Sequence, residues 1–136
     1  MATVDLFATL AALRDRLEDM AGYNVADYAF INKEYDPTGK TIYVAEDILP
    51  GNEIQITNDQ TEMQGIWQLT VWTKAGTGPK AGMDRATALK NHFKPKTQIG
   101  EITIDRATAS NSPIQNGDWY GLPVSVYFRT YATTSI

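Results

Sequence analysis

The chain has 136 residues, 43% of them hydrophobic and 21% charged, a balance typical of one soluble globular domain, which we place at residues 1–136. It has no cysteine and a single histidine, His92, which excludes disulfides, thiolate nucleophiles and cysteine or multi-histidine metal sites. The net charge of −4 argues against general nucleic-acid binding, and no apolar run approaches the roughly 18 residues of a membrane helix, so we expect no membrane span.

An apolar stripe near the start of the chain predicts the first helix. Apolar residues recur there at steps of three and four, Phe7 widens the stripe, and Gly22 is expected to stop the helix. The stripe consists of Leu6, Leu10, Leu13, Leu17 and Met20.

Three strands are predicted after this helix, over residues 27–32, 40–47 and 63–73. In the third, apolar residues such as Trp67 alternate with polar ones such as Gln68, which is typical of a sheet with one dry face. The segment between the second and third strands, residues 48–62, is too long for a tight turn and carries its own alternation. We interpret it as a hairpin arm that extends from the sheet, and we call it the hairpin arm.

A second helix and two more strands complete the predicted elements. The helix has a stripe of Met83, Ala86, Leu89 and Phe93, and Pro79 suits its first turn. The strands cover residues 99–107 and 119–132, separated by a loop at 108–118 that is rich in turn residues. Because Pro123 has no N–H to donate, we expect the last strand to lie at an edge or to start pairing late.

The element order α-β-β-β-α-β-β predicts an α+β domain. We expect two helices packed on one face of a largely antiparallel, mixed β-sheet, with the long hairpin arm between the second and third strands. Trp67 and Leu89 should then be buried between helix and sheet. The other face of the sheet should keep the polar residues, which are Gln68, Thr70, Ser125 and Arg129.

A glycine-rich segment between the third strand and the second helix raises the question of nucleotide binding. Gly76, Gly78 and Ala81 satisfy the spacing G-x-G-x-x-A. However, the preceding strand alternates instead of being apolar throughout, and Pro79 removes an N–H that a phosphate would need. We interpret the segment as a turn that binds no nucleotide.

Other residues with chemical potential have structural interpretations that we prefer. Glu101 and Asp105 could form an acid–base pair on one strand face, but solvated strand charges are far more common. His92 could act as a base, although no serine or acid motif accompanies it, and a cation near a helix end is favourable in itself. Three tryptophans could stack on bases or sugars, while packing in the core or an interface is the commoner use. They are Trp67, Trp72 and Trp119.

Three stretches together are similar to a known family. They are residues 63–78, 81–93 and 117–132, and in this order they resemble the tailed-bacteriophage tail terminator-like proteins of the lambda type. The resemblance covers nearly all of the chain, although residues 51–62 follow no part of the pattern. The positions on the family pattern are Asn32, Gly65, Gln68, Val71, Gly76, Gly78, Trp119, Pro123, Val124 and Ser125.

The resemblance implies a structural protein of the virion and no enzyme. Such proteins form a ring, usually a homohexamer, on the end of a completed tail tube, where they stop polymerisation and join the tail to the head connector. The implied partners are copies of the chain, the tail-tube protein and the head–tail connector. DNA passes through the lumen without specific binding, which suits an acidic protein. The implied location is the head-proximal end of the tail, after assembly in the host cytoplasm.

The resemblance carries over no catalytic, cofactor-binding or metal-binding residue. For the subunit interface we propose four apolar residues of the hairpin arm, because a protruding hairpin cannot bury them against its own small core. These are Ile48, Leu49, Ile54 and Ile56. Two other functions stay open: another head–tail connector, head-completion or tail-tube subunit, or a small ligand-binding domain or enzyme.

Overall fold

The computed structural model describes residues 4–109 and 114–133, which form two α-helices and one seven-stranded sheet. The predicted α+β class, with two helices and a mixed sheet, is confirmed. The helices are α1 (Leu6–Glu18) and α2 (Lys80–His92). The strands are β1 (Tyr28–Ala29), β2 (Ile42–Gln55), β3 (Gln60–Lys74), β4 (Gln98–Ile99), β5 (Ile102–Ala109), β6 (Ile114–Asn116) and β7 (Trp119–Thr133).

The sheet is built around three long strands. Its order is β1-β2-β3-β7-β5-β4, with β6 pairing beside β5 on the same side of β7. The short β1 runs parallel to β2, and the other pairs are antiparallel. The predicted strand at residues 27–32 is thus only two residues long. Within the predicted loop at 108–118, residues 110–113 lie outside the described residues, while Ile114–Asn116 form β6.

The expectation that the last strand lies at an edge is wrong. β7 lies in the interior of the sheet, between β3 and β5. The register explains how Pro123 is accommodated, because pairing with β6 ends at Gly121 and pairing with β5 reaches only to Val124. In the described part of the chain, Pro123 is opposite Thr70 of β3 and no other residue. The missing N–H therefore meets no partner strand among residues 4–109 and 114–133, and within those ranges the pairing with β5 starts only at Val124.

The core lies between the helices and one face of the sheet, which we call the helix face. Trp67 and Leu89 have no exposed surface, so their predicted burial is confirmed. The ring of Trp67 meets the ring of Phe93 edge to face, with centroids 5.3 Å apart. Fully buried residues of β7 and β5 complete this layer. They include Val124, Val126, Phe128 and Ile104.

The helix stripes differ from the predicted ones at the first turns. In α1, Leu13 and Leu17 are buried and Thr9 joins them, but Leu6 and Phe7 are exposed. The spacing of seven from Leu6 to Leu13 gives the same helix face. No element in the described part of the chain therefore covers Leu6 and Phe7 at the start of α1. The helix ends at Glu18, before the predicted stop at Gly22.

In α2 the buried stripe begins at Gly82, and the predicted stripe residue Met83 is exposed. The other members, Ala86, Leu89 and Phe93, are buried as predicted. A β-carbon placed on Gly82 would lie 3.2 Å from Thr73 Cγ2, so the helix approaches β3 closely at this point. That close approach favours a small residue and makes Gly82 the first buried residue of the stripe.

Candidate functional site

The hairpin arm is the outer part of the β2–β3 hairpin. β2 runs to Gln55, and the chain turns where the N–H groups of Ile56 and Thr57 both donate to the carbonyl oxygen of Gln60. A bulge between Pro50 and Glu53 interrupts the pairing with β3. The hairpin is long, but the expectation that it extends away from the sheet is wrong. β7 pairs with β3 as far as Gln60, so only the β2 side of the hairpin arm is an edge.

Three of the four predicted interface residues are exposed. Leu49, Ile54 and Ile56 keep 50%, 58% and 44% of their surface in solvent. By register, Leu49 is opposite Ile66 and Ile54 is opposite Glu62, which puts both on the face of the sheet away from the helices, here called the outer face. Three large aliphatic side chains therefore lie uncovered along one edge of the molecule.

Ile48 has a different environment. It is opposite Trp67 on the helix face and packs partly buried against the core. The expectation that the hairpin arm cannot bury its apolar residues against its own subunit is therefore wrong for Ile48. The alternation of β2 explains the difference, because adjacent residues such as Ile48 and Leu49 point to opposite faces.

The hairpin arm is tied to the rest of the subunit at its base. Glu53 points to the helix face, where Oε1 accepts a hydrogen bond of 2.7 Å from the backbone N–H of Val4. Met63, opposite Glu53 on β3, is buried. The base of the hairpin arm is therefore held in place, while its β2 edge and its turn remain open to solvent.

A buried carboxylate at Glu46 was missed by the sequence analysis. Its side chain is 2% exposed and accepts hydrogen bonds from Arg14, from Trp67 Nε1 at 3.1 Å and from the backbone N–H of Ile31 at 3.2 Å. These contacts join α1, the sheet and the segment after β1. The available signal was the position of an acidic residue two places after Val44, on the apolar face of the strand. Since both carboxylate oxygens accept hydrogen bonds from groups of the same subunit, we assign Glu46 to stability.

The outer face carries a charged group near the hairpin arm. Arg129 Nε donates to Asp105 Oδ1 at 3.1 Å, and Arg129 Nη1 lies 3.7 Å from Glu62 Oε1. The hydrogen bonds to Asp105 raise the pKa of Arg129 above its ordinary value, so the guanidinium stays charged. Gln68, Ser125 and Arg129 lie on the outer face as predicted. Thr70 shares that face but is almost fully buried.

The opposite end of the outer face holds an aromatic cluster. Tyr43 lies between Tyr35, Trp72 and Trp119, at centroid distances of 5.2, 6.5 and 4.9 Å. Trp72 lies across Gly121, where a β-carbon would come within 2.7 Å of the ring. Burial raises the pKa of Tyr43. Trp72 and Trp119 thus both pack against Tyr43, as the packing interpretation predicts. One side of the cluster remains in solvent.

The other chemical candidates are not brought together. Glu101 lies in the turn before β5, whereas Asp105 lies at a bulge and pairs with Arg129. His92 Nε2 contacts the backbone carbonyl oxygen of Arg16, which links the end of α2 to α1. Within residues 4–109 and 114–133, no group of three or more His, Asp or Glu could hold a metal ion. In the same ranges, neither helix is long and apolar enough to cross a membrane.

The glycine-rich turn adopts the left-handed backbone that its glycines permit. Gly76 and Gly78 have φ angles of 86° and 85°, and Pro79 caps α2. A depression of about 390 Å³ lies beside the turn, lined by Lys74, Tyr120 and the glycines among others. The side chain of Thr77 and its backbone N–H donate to the carbonyl oxygen of Lys74, which closes the turn on itself. The absence of nucleotide binding stays a prediction.

Comparison with known proteins gives one family. A family model described as phage tail terminator protein matches residues 8–128. One of 16 solved chains that match has a TM-score of 0.67 and 18% identity to this chain, and the alignment covers 94% of this chain and 96% of that chain. At this identity the likeness shows a shared fold. No curated protein sequence matches significantly.

Proposed function

The chain belongs to the phage tail terminator family, a family of structural proteins of the virion tail, and from this we propose that it forms a closed ring on a completed tail tube. The ring, a hexamer by resemblance, stops polymerisation of the tube and provides the joint to the head connector. Its partners are further copies of the chain, the tail-tube protein and the connector. Its place is the head-proximal end of the tail, which it reaches by assembly in the host cytoplasm.

The observation that carries this proposal is the uncovered apolar edge of the hairpin arm. Leu49, Ile54 and Ile56 are all at least 44% exposed. A contiguous exposed apolar strip usually marks an interface. Full burial of each such side chain contributes about 1.5–3 kcal/mol, so two or three of them per contact are enough to decide assembly.

A ring needs a contact between two different surfaces of the subunit. Such head-to-tail contacts close when the rotation between neighbours divides a full turn, and otherwise they continue as open stacks or filaments. A terminator has the closed form, whereas a tail-tube subunit has the open one. This difference separates the proposal from the tail-tube alternative.

The net charge of −4 supports a passive role toward DNA. DNA that passes through the lumen of such a ring meets a protein of the same sign, which limits its capture by the wall. Specific DNA binding would instead require clustered basic residues that face the lumen.

The double variant Ile54→Asp with Ile56→Asp tests the proposal. Each variant protein is added to polymerising tail-tube protein, light scattering follows tube growth, and circular dichroism follows the fold. The unaltered protein should limit growth, while the double variant should remain a folded monomer that does not. Val25→Asp, at an exposed apolar residue far from the hairpin arm in sequence, is the control and should behave like the unaltered protein.

Each of the other outcomes identifies a specific error. A double variant that still forms rings and limits growth means that the hairpin arm is not the interface. Loss of the folded state means that the two isoleucines belong to the core of the subunit. Incorporation of the unaltered protein along the tube, with continued growth, identifies a tail-tube subunit instead of a terminator.

A further inference from the structure

The sheet has two open edges on opposite sides of the subunit. On one side, β1 pairs only with Val44 and Ala45 of β2, so β2 has no outer strand partner from Asp47 onward in the described chain. On the other side, β4 pairs only with the start of β5, and the part of β5 from Arg106 to Ala109 has no outer strand partner among residues 4–109 and 114–133. We call these the β2 edge and the β5 edge.

The two edges carry opposite charge. Between residues 41 and 73, which include all of β2 and the hairpin arm, the sequence has five acidic residues and no Lys or Arg. Glu46 is buried against Arg14 and Glu62 lies near Arg129, so the acidic character of the β2 edge comes from the other three, which are Asp47, Glu53 and Asp59. Asp47 is exposed there. At the β5 edge, exposed Arg106 is joined by Lys94 and Lys96, also exposed, in a segment where Lys96 N–H donates to the carbonyl oxygen of Ile104 at 2.8 Å. The nearby acidic residues are Asp105, which is paired with Arg129, and Glu101 in the turn before β5. Charge of opposite sign on two separate surfaces favours head-to-tail association of identical copies.

Arg106 has no carboxylate within ion-pair distance in the described ranges. Its guanidinium carbon lies 3.9 Å from the ring centroid of Tyr127, which holds the side chain on the outer face. Among the described residues, Asp47 in turn accepts a hydrogen bond only from the backbone N–H of its neighbour Ile48, at 2.9 Å. Both charges are therefore fixed in place and available to a partner.

The register puts these charges close to the same level along the strands. Arg106 is opposite Tyr127, which is opposite Ile66, which is opposite Leu49. Asp47 is two residues from Leu49 on the same face of β2. A rotation about an axis parallel to the strands leaves each residue at its own height. It therefore brings Leu49 of one copy to the level of Arg106 in the next, with Asp47 roughly 7 Å further along β2, a distance that the long arginine side chain can span.

The contact is made by side chains and does not continue the sheet. Thr41 accepts a backbone hydrogen bond from Lys74 of β3, so alternate residues from Ile42 onward point their backbone groups outward. Among these, the N–H of Ile48 is bonded to the Asp47 side chain, and Pro50 has no N–H. A strand edge with these features resists pairing with a further strand.

We propose, on the basis of the ring function above, that Asp47 of each subunit forms an ion pair with Arg106 of the next. The β2 edge and the β5 edge are thus the two halves of one subunit contact. Leu49, next to this ion pair, is covered by the same neighbour, and Lys94 and Lys96 strengthen the attraction to the acidic hairpin arm.

Two charge reversals test the pairing. Asp47→Arg puts two positive charges in the contact, and Arg106→Glu puts two negative ones there. Each variant alone should need a protein concentration higher by on the order of tenfold or more to form rings, because like charges then face each other. In an equimolar mixture the two variants can alternate around the ring. Every contact then joins opposite charges, with the native pair at one contact and the reversed pair at the next. Rings should therefore form again. Native mass spectrometry reads the composition of these mixed rings.

Controls separate folding from assembly. Asp118→Arg and Lys80→Glu make the same charge changes at exposed positions on neither edge, and they should assemble normally. The melting temperature of each variant shows whether it is folded, and Arg106→Gln, with a neutral side chain, should give an intermediate loss. Higher salt should weaken the unaltered ring, since exposed charges are screened.

The outcomes distinguish the ion pair from the ring itself. Single reversals that assemble as well as the unaltered protein would overturn the ion pair while leaving the ring function intact. A mixture that fails to recover, with both variants folded, would also overturn it. An unaltered protein that forms no ring, alone or on tail tubes, would overturn the ring function and this contact together.

Discussion

The two halves of β2 have the same strand geometry and different surroundings. The inner half, from Ile42 to Ile48, has β3 on one side, β1 on the other at Val44 and Ala45, and the helices above it, and Val44 is fully buried. The outer half, from Leu49 to Gln55, has β3 as its one strand neighbour in the described chain and contains no buried residue. A strand pattern thus determines which way each side chain points. Whether that side chain is covered depends on the rest of the chain, or on another subunit.

The largest effect on stability is expected in the buried core between α2 and the sheet. Leu89→Ala truncates a fully buried side chain of α2 and should lower the free energy of unfolding by about 2–5 kcal/mol. The protein loses the free energy of moving the removed apolar atoms out of water, and a cavity is left in the core. Chemical denaturation measures this, with Thr87→Ala on the exposed side of the same helix as the control. An unchanged midpoint would mean that α2 packs on the sheet through another face.

A smaller effect on stability is expected where the inner and outer halves of β2 meet. A β-carbon on Gly51 would collide with the backbone carbonyl of Gln64, a contact that only a shift of the two strands can relieve. Gly51→Ala should therefore cost about 1–3 kcal/mol, and hydrogen exchange should increase along the hairpin arm more than in the inner half. The neighbouring Asn52→Ala is the control. Equal stability of the two variants would show that the strands are not in close contact at this bulge.

The outer half should contribute little to the stability of the isolated subunit. Ile54→Asp and Ile56→Asp replace exposed side chains, so each should change the free energy of unfolding by no more than about 0.5 kcal/mol. Thermal unfolding at a concentration where the protein is monomeric measures this. A loss near that of Leu89→Ala would place the two isoleucines in the core of the subunit and would remove the contrast between the two halves.

The smallest effect is expected at the inner end of β2 at high pH. Burial raises the pKa of Tyr43 above its ordinary value of 10.0, so the unfolded chain loses this proton first as the pH rises. Stability should be insensitive to Tyr43 below pH 10 and should fall above it. Tyr43→Phe should make that fall less steep, measured by denaturation across alkaline pH. An identical slope in the two proteins would contradict the burial of this hydroxyl.

The sequence alone was sufficient for the strongly periodic parts. Alternation in β3 and the spacing of Leu89 and Phe93 in α2 predicted the right faces, because burial on one side imposes those periods. The exposure of Leu6 could not be predicted, since its spacing fits the buried stripe of α1 and only the absence of a neighbour in the described chain exposes it. The interior position of β7 was missed for a related reason, because the described pairings of β5 and β6 stop on either side of Pro123, which depends on two other strands.

The candidate interface was predicted in part. The residue types at positions 48–56 indicated an apolar edge, and the exposure of Leu49, Ile54 and Ile56 agrees with it. The burial of Ile48 depends on register with Trp67, which a sequence pattern does not define. The charge contrast between the β2 and β5 edges needs the strand order, since Asp47 and Arg106 are far apart in the chain and their edges are known only from the folded sheet.

Native mass spectrometry of the protein, alone and mixed with tail-tube protein, tests the central claim most directly. The account predicts one closed assembly of fixed subunit number, and tubes whose growth stops when that number of subunits has bound at an end. A continuous series of assemblies of increasing subunit number would contradict it. Tubes that continue to grow with the protein incorporated along their length would contradict it as well.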